Sequence, residues 1–260
     1  MSDAGLIWQG ASVTMFAYLA AAGLARGTSA RSGRAIRLSV LGIVVAGIST
    51  LFPADALLRR WLIPPALLLI AYWSSGALFV APMPRAEAAL IAVDRWAGIG
   101  RWRVPRVVAE LLEVAYLGVY PLIPIALVLY LTVVDNRGAD RFWNVVLVTD
   151  YACFALLPWV QTRPPRSLEG SEPYPSSVRA LNLRIVGAAS IQVNTFPSGH
   201  AAEALVVALL VCGGPAWACA SMLVAALAVS AGAVLGRYHY LADAIAGWVV
   251  ATTVWTAIGR

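Results

Sequence analysis

The sequence predicts an all-α, polytopic membrane helical bundle. Of its 260 residues, 60% are hydrophobic and only 12% charged, about half the charged share of an average soluble domain. The charges are also bunched, so that Ala204 to Gly236 contains none. An apolar helix of roughly 20 residues crosses a hydrocarbon core, whereas an open sheet leaves backbone groups unsatisfied there. A soluble globular domain, a disordered chain and a disulfide scaffold are excluded on these grounds.

Eight segments qualify as spans. The first, 5–25, follows Asp3 rather than a basic stretch, unlike a cleaved leader. The second is 38–54. The third, 61–81, carries Pro64-Pro65, and the fourth, 107–134, carries Pro121 and Pro124; each pair is expected to kink its helix. The fifth is 142–160. The sixth, 200–214, closes on Gly213-Gly214-Pro215, read as the turn of a tight helical hairpin with the seventh, 216–235. The eighth is 241–258. Between the third and fourth, 82–106 is expected to hold an amphipathic interfacial helix. The 161–199 loop is the least hydrophobic stretch, with Ile185 to Val193 apolar enough to dip into the interface. Trp143, Trp159 and Tyr240 near span ends read as an aromatic belt. No internal repeat, coiled coil, P-loop or dinucleotide fingerprint occurs.

The net charge is +6, and all nineteen basic residues are arginine. Arg26, Arg31, Arg34 and Arg37 share one loop without an acid, and 82–106 carries five arginines against Glu87 and Asp94. The loops 53–60 and 135–141 are nearly neutral. Eight spans put both basic loops, and 161–199, on one side, which the positive-inside rule makes cytoplasmic. The expected location is therefore a bacterial inner membrane with 161–199 facing inward. Cys153, Cys212 and Cys219 all lie in apolar stretches and read as small core residues rather than disulfides or metal ligands.

The chemistry concentrates at that face. The chain has two histidines: His200 closes Phe196-Pro197-Ser198-Gly199-His200, and His239 opens His239-Tyr240-Leu241-Ala242-Asp243. Thr162-Arg163-Pro164-Pro165-Arg166 follows the fifth span. Ser198 before an apolar run is a helix N-cap, and the free N–H groups there suit an anion. Gly199 lets the backbone approach closely. Asp243 stands four residues after His239, a spacing that on a helix aims carboxylate at imidazole and sharpens the far nitrogen as nucleophile or base. A second histidine can then protonate a leaving alkoxide. Each element has an ordinary alternative: a turn and cap, a structural His–Asp pair, a solvated loop. Their joint occurrence on one face points to phosphate chemistry. No carboxylate cluster accompanies them, so no metal or other cofactor is expected.

These residues resemble the phosphatidic acid phosphatase type 2 superfamily, whose membrane members share a six-helix core. Phe196 to His200 matches its central Pro-Ser-Gly-His motif, His239 and Asp243 match the second half of its third, and Arg163-Pro164 matches the end of its first. The resemblance spans roughly 107–258, dividing the chain into N-terminal transmembrane helices with an interfacial segment, 1–106, and a catalytic core, 107–260. Two family cations are missing: Leu156 stands where the first motif has lysine, and Gly232-Ala233 where the third has Ser-Arg. Arg237 is the expected replacement for the second. The Arg-Tyr-His-Tyr run is similar to that of inositol phosphorylceramide synthase-like members.

The resemblance implies that His239 attacks phosphorus to form a phosphohistidine, with Asp243 orienting it and His200 protonating the leaving group. It assigns the phosphoryl oxygens to Arg163, Ser198, Gly199 and Arg237. The implied activity is that of a metal-independent membrane lipid phosphatase acting on a lipid phosphate: phosphatidate-like, polyprenyl or an inositol lipid. A lipid phosphotransferase differs only in the alcohol that replaces water. An anion carrier is the alternative of another class, disfavoured because the polar residues gather at one face rather than along a midplane path. No nucleic-acid partner is expected, and the oligomeric state stays open. Glu110, Glu113 and Asp150 fall within or near the fourth and fifth spans, where ionisable groups are functional candidates. A helix end near the headgroups accounts as well for Glu110, and an interhelical hydrogen bond for the other two.

Overall fold

The computed structural model describes residues 7–101, 104–168, 174, 176–193 and 195–259. Among them there is no strand, and the α-helices are α1 (Ile7–Ala25), α2 (Ala30–Ser49), α3 (Ile63–Ala77), α4 (Pro84–Trp96), α5 (Arg106–Leu117), α6 (Val119–Val133), α7 (Ala139–Leu156), α8 (Val178–Ala189), α9 (Gly199–Val211), α10 (Ala216–Leu235) and α11 (Leu241–Ile258). The polytopic helical bundle expected from composition is what the chain forms. Asp3 and Ser171 lie outside the described residues.

Four helices, α1, α2, α10 and α11, are long and apolar enough to cross a membrane, and the α5–α6 pair qualifies as one span bent by 64°. The break at Gly118 has a local cause. Pro121 has no N–H to give the carbonyl of Leu117, and its ring crowds that carbonyl, so the first half stops there. The remaining expected spans are α3 and α9, of 15 and 13 residues, and α7, which carries Asp140, Arg141 and Asp150.

The ends of the helices sort into two faces. At one, Arg26 after α1 donates to the carbonyls of Leu78 after α3 and Pro158 after α7. At the other, Asp140 at the start of α7 accepts from Trp8 of α1 and from Arg59 ahead of α3, both at 2.9 Å, while Arg141 reaches the Gly259 carbonyl after α11. The α2 helix runs antiparallel between them, packed on α1 and α3. Its Gly42 abuts the Phe16 ring, where any side chain would collide. The α9 helix sits centrally, against α6, α7, α10 and α11.

Three sequence expectations change. The arginine-rich loop 26–37 is mostly helix: Ser29 caps Ser32 N, and Arg31, Arg34 and Arg37 ride on the first turns of α2. The 161–199 stretch contains α8, where Arg179, Asn182 and Arg184 break up the apolar run a hydropathy reading looks for, although Arg179 and Asn182 are buried. Cys212 and Cys219 form a disulfide, while Cys153 is free and buried. The Gly213-Gly214-Pro215 turn brings the end of α9 against the first turn of α10, with the two cysteine Cα atoms 4.2 Å apart, slightly closer than the usual minimum of about 4.4 Å.

Candidate active site

The two histidines, 39 residues apart in sequence, meet at the head of a cavity of about 600 Å³, their ring centroids 5.9 Å apart. Each is brought there by the start of a helix. Ser198 caps α9 through Ala201 N at 3.3 Å, which sets His200 in the first turn. The Ser198 amide donates to the Asp243 carbonyl at 2.9 Å, tying α9 to α11. Gly247 makes that approach possible, since a Cβ there would lie 2.4 Å from the Ser198 carbonyl oxygen.

His239 precedes α11 rather than lying on it. Asp243 turns back to accept from Tyr240 N at 2.9 Å, and its Oδ2 comes within 3.5 Å of His239 Nδ1. The expected His–Asp neighbourhood is present, but a helix cap creates it instead of helical register. Nδ1 is closer to the Thr195 carbonyl, at 3.1 Å. A donor Nδ1–H leaves Nε2 as the nitrogen with a lone pair. Thr195 is itself pinned by Thr162 through a 2.9 Å hydroxyl contact, so the first motif supports the third. Tyr116 stacks on His200 at 5.6 Å and on Tyr238 at 4.0 Å, walling the site with aromatic faces.

The arginines divide by partner. Arg163 gives its Nε and Nη2 to Glu87 of α4 at 2.9 and 2.8 Å, with its backbone N–H donating as well. These bonds hold the Glu87 carboxyl below the usual carboxylate range. Arg237, buried and at φ 60°, donates to Asp94 of α4 at 2.6 Å, and Asp94 also accepts from Leu241 N. Neither guanidinium lines the cavity; Arg166 does. Its N–H donates to the Arg237 carbonyl, and its guanidinium lies 5.1 Å over the Tyr238 ring. Burial lowers its pKa, but a guanidinium stays charged at physiological pH.

Of the sequence-predicted site residues, His200, His239 and Gly199 line the cavity, while Ser198, Asp243, Arg163 and Arg237 stand just behind it. Motif reading did not supply α4, whose two acids hold two motif arginines. Nor did it supply Glu203, although its charge one turn past His200 interrupts an apolar run. Glu113 is fully committed elsewhere, accepting from Tyr174, Arg179, Asn182 and Tyr238, and Glu110 accepts from Ser176, Ser177 and Val178. Among the described residues, no group of three or more His, Cys, Asp or Glu side chains gathers in a way that could hold a metal.

No curated protein and no solved structure matches the chain. The family model of the PAP2 superfamily matches residues 141–260, which take in α7 to α11, the two facing histidines and the arginines of the site. Across that segment, a little under half of its length, the chain is similar to the PAP2 superfamily, a likeness that fits a membrane enzyme of the phosphatase or phosphotransferase type.

Proposed function

We propose that this protein cleaves the phosphomonoester of a lipid phosphate through a phosphohistidine. The carrying observation is the pair of histidines facing each other at the head of a cavity whose walls are otherwise mostly apolar. His239 Nε2 attacks phosphorus, the bond to the lipid oxygen breaks, and His200 gives its proton to the departing alkoxide. His200 then takes a proton from water, which attacks phosphorus from the vacated side. The N–P bond breaks, and inorganic phosphate and free His239 result. Thr195 and Asp243 keep the His239 ring in the tautomer this requires. The N-terminal helices 1–106 brace the catalytic core 107–260 through α4 and the packing of α1 and α3 on α7.

The test is phosphate release from a panel of phosphatidate, lysophosphatidate and polyprenyl phosphate by purified protein, with and without EDTA. Release unaffected by EDTA is expected. Inactivity in EDTA, restored by a divalent ion, would overturn the metal-free reading. Inositol or glycerol added as acceptor separates the transferase alternative, which predicts new phosphodiesters.

For the phosphoryl oxygens, the residues nearest to hand are Arg166, the Gly199 amide and the free N–H groups of the first α9 turn. Arg163 and Arg237 would have to leave Glu87 and Asp94 to join them, and either move takes a partner from a buried acid. Arg166→Ala should therefore weaken inhibition by vanadate, a transition-state mimic, by roughly 10- to 100-fold, the range for a hydrogen bond to a charged group. Arg163→Ala and Arg237→Ala should weaken it less. The reverse order would mean that both arginines swing from α4 onto the phosphate.

The histidine face is assigned to the cytoplasm. The arginines of the first α2 turns and of 82–106 flank it, and the opposite face is nearly neutral. In a background lacking the three native cysteines, Asn136→Cys should react with an impermeant maleimide in intact cells, and Ser171→Cys should not. The opposite pattern would invert the assignment.

A further inference from the structure

The cavity does not end at the histidines. It continues between α3, α6, α7 and α9 toward Trp61 and Trp143 at the opposite face, and most of that length is apolar. Two carboxyl side chains interrupt it. Asp150 of α7 and Glu203 of α9 both line the cavity. Asp150 is 1% exposed, and neither of its oxygens has a hydrogen-bond partner among the described residues. A Cβ placed on Gly199 would stand 3.8 Å from Asp150 Oδ1, so this carboxyl lies beside the first turn of the catalytic helix.

An unpaired buried carboxyl is costly, by an amount of order 1–3 kcal/mol for a missing hydrogen bond and more for a charge. Buried acids elsewhere in the protein have partners: Glu87 has Arg163, Asp94 has Arg237, Glu113 has four donors. Asp150 is different: its oxygens have no partner among the described residues, although the residue lines the cavity. Its depth identifies what would fill the cavity there. At 1.5 Å per residue, Glu203 lies about 4.5 Å further along α9 than His200, and Asp150 comes six residues before the end of α7, about 9 Å from that face. A lipid whose phosphate sits between the histidines reaches this depth with its backbone, after the phosphoester oxygen and before the hydrocarbon tail.

We propose that Asp150 and Glu203 form a backbone subsite that accepts hydrogen bonds from a hydroxyl or amide N–H carried by the substrate a few bonds from its phosphoester. The inference rests on the lipid phosphatase reading and narrows it: the substrate is a lipid phosphate with such a donor, and not a polyprenyl phosphate. A site built to pair a substrate donor strongly disfavours the analogue that lacks it, because its own polar groups are then left unsatisfied.

The experiment compares 1-oleoyl lysophosphatidate with its 2-deoxy analogue, which differs by one hydroxyl. The wild-type protein should turn over the hydroxyl lipid with kcat/KM at least tenfold higher. Asp150→Ala and Glu203→Ala should bring the ratio close to 1 by losing the hydroxyl lipid and sparing the deoxy one. Equal treatment of both lipids by the wild type, or a loss in the variants that is equal for both, would overturn the proposal. Asp150→Asn, which keeps an accepting oxygen and the side-chain shape, should retain part of the preference and controls for misfolding.

A binding arm separates this inference from the reading beneath it. Thermal stabilisation is measured with 1-oleoylglycerol and with the mono-oleoyl ester of propane-1,3-diol, neither of which carries phosphate. If no lipid phosphate is cleaved but the glycerol ester still stabilises the wild type more than the diol ester, and Asp150→Ala removes the difference, the phosphatase reading falls and the subsite stands. If the two esters stabilise equally, the subsite falls whatever the turnover.

Discussion

His239→Ala is expected to lower phosphate release by three orders of magnitude or more while leaving the protein folded and membrane-inserted. A covalent route removed at its nucleophile leaves only binding and charge stabilisation, and residues that act as a unit lose most of their effect together. Folding should be spared because the His239 side chain holds no buried ion pair together. It contacts the Thr195 carbonyl and the edge of Asp243, and Asp243 keeps its bond from Tyr240 N. His200→Ala should slow the first step by about 10²–10⁴-fold, the usual range for a general acid. The loss should be smallest with p-nitrophenyl phosphate, whose leaving group needs no proton. Substantial turnover by a well-folded His239→Ala protein would falsify the nucleophile assignment. A His200→Ala loss equal for all leaving groups would remove its acid role.

Glu113→Ala is expected to destabilise the protein by about 3–5 kcal/mol, the cost of leaving one partner of a buried ion pair alone. Arg179, at 2.8 Å and almost as deeply buried, would lose its carboxylate, and Tyr174, Asn182 and Tyr238 would each lose an acceptor. This knot joins α5, α8 and the turn before His239. The stack Tyr238–Tyr116–His200 should therefore loosen with it. Thermal unfolding in detergent, with limited proteolysis of α8, reads the effect; Glu113→Gln should recover part of it. A shift worth less than about 1 kcal/mol would mean that the network is solvated in practice and contributes as little as a surface pair.

Much of this architecture was legible because lipid forces helices and because the candidate site residues fall in compact motifs. Ser198 capping α9, the Gly213-Gly214-Pro215 turn and the break near Pro121 all follow from local backbone rules. The pairing of His200 with His239 was suggested by face and motif, and needed only the antiparallel packing of α9 and α10 to become contact. What escaped reading lies in long-range side-chain pairing. Arg163 with Glu87 and Arg237 with Asp94 are separated by 76 and 143 residues, and nothing in the local pattern of α4 marks its acids as inward-facing. Asp243 reached its neighbour by a route that spacing misdescribed, since a helix that begins at Leu241 cannot present His239 on its surface. Arg166 stood inside the recognised Arg-Pro-Pro-Arg run, yet only the fold separates the arginine in the cavity from the one behind it.

The Cys212–Cys219 bridge closes the α9–α10 turn at the end of α9 away from His200, about 20 Å along a 13-residue helix. Such bridges last where thiols are oxidised and are reduced where glutathione and thioredoxin reach them. The two ends of this bundle therefore suit different redox surroundings, independently of any count of arginines. On the proposed phosphatase reading, with the bridge outside, each turnover would hand its phosphate to the reducing interior, where it would rejoin the pool from which phosphate esters are made. The lipid alcohol would stay in the inner leaflet, within reach of the next kinase or acyltransferase, and no molecule would need to cross the bilayer between the two reactions.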